Sequence, residues 1–128
     1  MLKIEVLPHN FTVCKLKSVP EKMPSERFCF LSVTDSEISL VCPTDSVPDS
    51  TYAREDSWKA FRISGTLDFS LVGILADISG LLTKEKISIF AISTYDTDYV
   101  LTKAECFEKA VKKLSDNGYT VKNTENLF

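Results

Sequence analysis

The feature that most constrains this chain is a change of hydrophobic period near its middle. Before residue 65 the apolar residues fall in short runs at every second position, as in Leu2, Ile4 and Val6 or Ile38, Leu40 and Cys42. From Ser70 onward the spacing lengthens. Leu71, Ile74, Leu75, Ile78, Leu81 and Leu82 recur at the interval of a helix that buries one face. A fold that satisfies both periods must lay helices on strands, so the fold class is α+β.

The first half predicts strands. Leu2 to Leu7 is one, and Pro8-His9-Asn10 turns the chain into a second carrying Phe11, Val13 and Leu16. Pro20 and Pro24 rule out a continuous helix over Ser18 to Arg27. Phe28 to Val33 is the next strand, Thr34-Asp35-Ser36 a tight connection, and Ile38 to Cys42 the return. Pro43 to Ser50 is rich in turn residues and predicts a surface loop. Thr51 to Trp58 is expected to hold a short helix.

The second half predicts a strand over Trp58 to Ser64, ended by Gly65, and then the helix of the apolar stripe. Ile87 to Ile92 is apolar on both faces except for Ser88, which suits a central, covered strand. Tyr95-Asp96-Thr97 turns into a strand at Tyr99 to Leu101. Thr102 and Glu105 have capping-box spacing. Phe107, Ala110, Val111 and Leu114 form the next apolar stripe. Asn117-Gly118 supplies a left-handed stop, and Tyr119 to Val121 is a last strand. Strand, helix, strand, strand, helix, strand is the split βαβ, ferredoxin-like order. The expected division is a strand-rich unit over residues 1–57 and a βαββαβ unit over residues 58–128.

Composition narrows the function. The net charge is −3 and the pI about 5.2, so the basic footprint of a nucleic-acid binder is missing. No unbroken apolar stretch suits a signal peptide or a bilayer span, which predicts a cytoplasmic protein that does not enter membranes. Cys14, Cys29, Cys42 and Cys106 lack the spacing of a zinc or redox motif and are read as buried apolar residues. His9 is the only histidine and sits in a turn, so no nucleophile–base pair is evident. Gly65, Gly73, Gly80 and Gly118 are scattered and form no phosphate loop. Catalysis is not expected, nor a cofactor. Asp68, Asp96 and Asp98 offer hard oxygen ligands but lack calcium-loop spacing, and no metal is expected.

Two segments stand out together: Leu67-Asp68-Phe69-Ser70-Leu71-Val72-Gly73-Ile74-Leu75, and Ile87 to Leu101 with its run Ser93-Thr94-Tyr95-Asp96-Thr97-Asp98. They resemble the ACT-domain proteins related to the CASTOR arginine sensors and to the regulatory part of aspartate kinases, nearest to short bacterial members with two tandem ACT-like units. The resemblance covers about Trp58 to Tyr119. The first half resembles the family only in its strand-rich layout, so residues 1–57 are read as a degenerate ACT-like unit packed with the ACT domain. The resemblance implies a non-catalytic regulatory homodimer that binds a small molecule, a free amino acid, at an interface between ACT-like units. It implies one wall from Asp68, Phe69, Ser70, Leu71, Val72, Gly73 and Ile74, and another from Thr94, Tyr95, Asp96, Thr97 and Asp98.

The chemistry of those residues is compatible with that role. A helix N-terminus offers amides to a carboxylate. Asp96 and Asp98, with the Thr94 and Thr97 hydroxyls, suit an ammonium or guanidinium group. Each residue also has a structural reading. Asp68 and Ser70 cap a helix, Gly73 permits close packing, Asp96 forms a turn, Asp98 pairs with a lysine, and Tyr95 packs on a dimer partner. The alternative function is therefore a ligand-free interaction and dimerisation module on the same scaffold.

Overall fold

The computed structural model describes residues 2–64 and 73–124. In chain order the elements are β1 (Lys3–Val6), β2 (Phe11–Leu16), β3 (Phe30–Val33), β4 (Ile38–Pro43), a single 3-10 turn (Thr44–Ser46), β5 (Thr51–Ser64), α1 (Ile74–Lys84), β6 (Phe90–Ser93), β7 (Asp98–Lys103), α2 (Ala104–Asp116) and β8 (Thr120–Asn123). They divide into two compact units, His9–Trp58 on one hand and Met1–Pro8 with Lys59–Phe128 on the other. Among the described residues no helix is long and apolar enough to cross a membrane.

In the larger unit the strands are ordered β6-β7-β5-β1-β8. Helices α1 and α2 bury their apolar stripes on this sheet. Ile78, Leu82, Phe107, Ala110 and Leu114 meet Ile4, Phe61, Ile63 and Val100 in one core. Strand β1 runs antiparallel to β5, placing Ile4 beside Ile63, and parallel to β8, placing Ile4 beside Val121. The first strand therefore belongs with residues 59–128, whereas the sequence reading grouped it with residues 9–57. Alternation of Leu2, Ile4 and Val6 identifies a buried face but carries no information about which strands flank it.

Both helices end in the same way. The Ile87 amide donates to Leu82 O (3.0 Å) and the Lys86 amide to Thr83 O (2.9 Å). The Tyr119 amide donates to Leu114 O (3.1 Å) and the Gly118 amide to Ser115 O (3.3 Å). These are paired Schellman bonds, with Lys86 (φ 58°) and Gly118 (φ 98°) in the left-handed position. The Asn117-Gly118 stop thus forms as read. Ile87, expected to begin a central strand, is instead the apolar residue that closes the α1 terminus. The strand itself is shorter, Phe90–Ser93, and among the described residues β6 pairs with β7 alone. The expected capping box at Thr102 is also absent. Lys103 is the N-cap residue and makes no side-chain cap bond, and Thr102 is a buried residue of β7 whose hydroxyl donates to Lys103 O (3.1 Å).

The smaller unit is a four-stranded antiparallel sheet ordered β3-β4-β2-β5. Residues 51–58, read as a short helix, are the opening half of β5. Arg54-Glu55-Asp56 has the polar, helix-tolerant composition that misleads, but β2 supplies a ladder and tertiary pairing prevails over propensity. The β2–β5 register shifts between Phe11 and Val13, and Ser57 has a φ of 70° near that irregularity. Buried Thr12 follows Phe11: its Oγ1 donates to Asp56 Oδ1 (2.7 Å) and lies 3.0 Å from Thr44 Oγ1. One face of this sheet carries Cys14, Leu16, Leu40 and Cys42, with Cys29, Leu31, Ile38 and Val47 packed against them.

The two units share a hairpin. Every pair of the β3–β4 ladder recurs sixty residues later in β6–β7: Phe30–Val41 as Phe90–Leu101, and Val33–Ile38 as Ser93–Asp98. Where α2 begins at Ala104, the counterpart Thr44 begins only the 3-10 turn.

Candidate functional site

The β6–β7 hairpin is built by its own side chains. The Thr94 amide donates to Thr97 O (2.8 Å), and Thr94 Oγ1 donates to the same oxygen (3.0 Å). Thr97 Oγ1 donates to Ile63 O (2.6 Å), which fixes the hairpin beside the end of β5. Ser93 Oγ donates to Asp98 Oδ1. The Thr94, Thr97 and Ser93 protons, which the sequence offers to a ligand, thus already have acceptors within the unit. The groups that face solvent are the Asp96 carboxylate and the Tyr95 ring, Tyr95 being 91% exposed. Asp98 is half-buried and retains a second carboxylate oxygen beyond its bond with Ser93.

Of the other expected wall, Asp68, Phe69, Ser70, Leu71 and Val72 lie outside the described residues. Gly73 is the N-cap residue of α1 with φ 88°, and its carbonyl accepts the Asp77 amide (2.8 Å). A Cβ added there would meet nothing within 4 Å. The glycine therefore answers a backbone conformation and not a close approach. Ile74 packs against the core and is a structural residue. The structure brings the Thr94–Asp98 hairpin to the end of β5, one residue before Ser64, from which residues 65–72 lead to Gly73.

A row of polar residues that sequence reasoning did not single out crosses the same sheet. Arg62 Nε donates to Glu5 Oε1 (3.1 Å), with side-chain exposures of 23% and 17%. Burial pulls the Arg62 pKa down, but hydrogen bonds to Tyr99 and Glu5 outweigh it and the net shift is upward. The alternation of β1 and β5 held the signal, because Glu5 and Arg62 occupy the polar positions between Ile4, Val6, Phe61 and Ile63. On α1, Tyr119 Oη donates to Asp77 Oδ2 (2.5 Å). Burial first, then this bond and the Asp77 charge, push the Tyr119 pKa upward.

The sister hairpin of the smaller unit has the same turn. The Thr34 amide donates to Glu37 O (3.0 Å), and Thr34 Oγ1 donates to it at 3.3 Å. It borders a shallow depression of about 430 Å³ whose lining includes Lys15, Lys17, Asp35 and Tyr52. Lys15 Nζ lies 5.6 Å from the Tyr52 ring centroid, a cation–π distance. Among the described residues no group of three or more His, Cys, Asp or Glu side chains could hold a metal ion.

The arrangement matches known proteins. The solved structure of a protein from Agobacterium tumefaciens has a TM-score of 0.87 at 25% identity, covering 98% of this chain and 95% of that one. A Vibrio cholerae protein of unknown function, described as a possible transport protein, gives 0.73 at 16% identity, with 90% and 88% covered. The ligand-free regulatory subunit of aspartate kinase from Thermus thermophilus gives 0.60 at 11% identity, with 90% and 95% covered. At these identities the latter two show the fold alone. No curated protein matches the sequence. A family model described as the ACT domain matches residues 53–116, half of the chain. On that match and the α+β layout, the chain belongs to the ACT-domain family.

Proposed function

We propose that this protein is a non-catalytic regulatory module that binds a free amino acid and works as a homodimer in the cytoplasm. In this reading residues 58–128 form the ACT unit, and the strand-rich part before it is a reduced counterpart. The Thr94–Asp98 hairpin holds the ligand's ammonium group with Asp96 and Asp98, and the amides at the start of α1 take its carboxylate. An ACT unit of a partner chain closes the site. The observation that carries the reading is the hairpin itself. Its turn is locked by Thr94 and Thr97 while its carboxylates stay accessible, so the acceptors are pre-organised before a ligand arrives. The likeness to a regulatory subunit of aspartate kinase supports the same class.

The test is thermal-shift screening against the twenty amino acids, followed by calorimetry. A ligand at about 100 times its Kd stabilises the folded state by about 2.7 kcal/mol, a shift of several degrees for a domain of this size. Asp96→Ala with Asp98→Ala should erase the shift without altering the unliganded melting temperature by more than about 0.5 kcal/mol. If no amino acid at millimolar concentration moves the transition, the sensor reading fails.

The 91% exposure of Tyr95 supports a second reading, a ligand-free dimerisation module with that ring as an anchor. Tyr95→Ala would then lower the mass seen by light scattering, while the aspartate variants would not.

A further inference from the structure

The cysteines of the smaller unit carry a reading independent of amino-acid binding. Phe30 pairs with Val41, and Leu31 with Leu40, in the β3–β4 ladder. Continued by one residue, this antiparallel register sets Cys29 opposite Cys42. Side chains at opposed positions share a face, and Cys29, Leu31, Leu40 and Cys42 do pack in one cluster. Opposed residues in an antiparallel pair have Cα atoms about 4.5–5.5 Å apart, inside the range of about 4.4–6.8 Å that a disulfide spans. Cys14 lies opposite Leu40, two residues from Cys42. That diagonal separation is about 7–8 Å, too long for a bridge without backbone movement. All the cysteines are free thiols.

Access is unequal. Cys42 is fully buried. Cys29 is half-exposed and lines a surface depression of about 480 Å³ formed with Met23, Pro24, Ser25, Glu26 and Phe28. We propose that Cys29 and Cys42 form a dithiol that low-molecular-weight disulfides oxidise, entering through Cys29. The Cys29 thiolate attacks one sulfur of the small disulfide, whose S–S bond breaks, and the departing thiolate takes a proton from water. The Cys42 thiol then gives its proton to solvent and attacks Cys29 Sγ, releasing the second small thiolate. Two protein thiols lose two electrons and two protons, and one small disulfide becomes two thiols. The bond staples the helix-less segment before β3 onto β4.

The second step sets the pace. Burial pushes the Cys42 thiol up to about 12, neighbouring Cys29 and Cys14 add to this, and Arg54 opposes it. The reactive form is the thiolate, so closure should accelerate about tenfold per pH unit between pH 7 and 9.

The test is incubation of the full reduced chain with oxidised glutathione, read by intact mass and peptide mapping. Cys106, half-exposed on α2, is replaced by Ser in every sample so that only the cluster reports. The expected course is one glutathione adduct at Cys29, then loss of that adduct with a net loss of two hydrogens and a mapped Cys29–Cys42 link. Cys42→Ser should stop at the Cys29 adduct, and Cys29→Ser should give neither product. Mapping of the parent chain needs no variant to fold. A Cys14–Cys29 link, a Cys29 adduct that persists unchanged at pH 9, or no reaction at Cys29 would each overturn the proposal.

Discussion

The two units run the same hairpin under different cover. In the larger, the helix-facing side of the sheet meets Ile78 and Leu82 from α1 and Phe107, Ala110 and Leu114 from α2. In the smaller, Cys14, Leu16, Leu40 and Cys42 lie under Val47 and half-buried residues of the flanking strands, with no helix between Lys17 and Cys29 and one 3-10 turn after β4. Pro20 and Pro24 in the first gap, and Pro48 after the turn, bar the helices that α1 and α2 would otherwise have as counterparts. The ladder and its turn are therefore enough to hold the strand layout. The helices add apolar cover, and where they are lost the sheet turns small cysteines toward the thinner lid.

That contrast is best broken at the core. Leu82→Ala and Leu40→Ala both truncate fully buried side chains. We expect Leu82→Ala to cost about 3–5 kcal/mol, since two rigid helices cannot close the void, and Leu40→Ala about 2–3, since coil relaxes into it. Chemical denaturation measures both, and equal costs would erase the distinction. Smaller effects lie at the helix ends, which only the larger unit has. Gly118→Ala should cost about 1 kcal/mol because φ is 98° there, and Lys86→Gly should gain a similar amount at 58°. A loss on Lys86→Gly would show that the Lys86 side chain contributes more than its backbone costs.

The smallest expected difference is in pH dependence. Tyr119 in the larger unit and Cys42 in the smaller both have raised pKa values, burial being the main cause in each. A raised acid is neutral in the folded state over a range where the unfolded chain ionises. Its stabilisation is complete below the unfolded value, about 10 for tyrosine and about 8.5 for cysteine, and is lost as pH rises through the folded one. Tyr119→Phe should flatten the decline of stability above pH 10, and Cys42→Ala the decline that starts above pH 8.5, in denaturant titrations across pH 8–11.

The helical stripes Ile74–Leu82 and Phe107–Leu114 were plain in the sequence because a buried helix face leaves a period that few loops imitate. So was the Asn117-Gly118 stop, whose φ requirement excludes most residues. Pairing was not legible. β1 joins strands more than fifty residues away, and Thr51 to Trp58 becomes strand only because β2 lies beside it. The repeat was hidden for a related reason. Phe30 and Thr34 recur as Phe90 and Thr94, but most of the ladder keeps only its hydrophobic pattern. For the candidate site, the Thr94–Asp98 cluster was legible as a polar hairpin. Which hydroxyls bind the chain itself was not, because a threonine that locks a turn and one that meets a ligand look alike in sequence.

The placement of β1 has a consequence for how the chain acquires its shape. Residues 3–6 leave the ribosome among the first, yet one neighbour, β5, follows only after the whole of residues 9–58, and the other, β8, lies near the end. During synthesis this strand must wait unpaired while the smaller unit completes itself, and closing the larger one requires contacts of very long sequence separation, which slows folding. Bulky fusions ahead of residue 3 should then burden maturation more than fusions placed after residue 124.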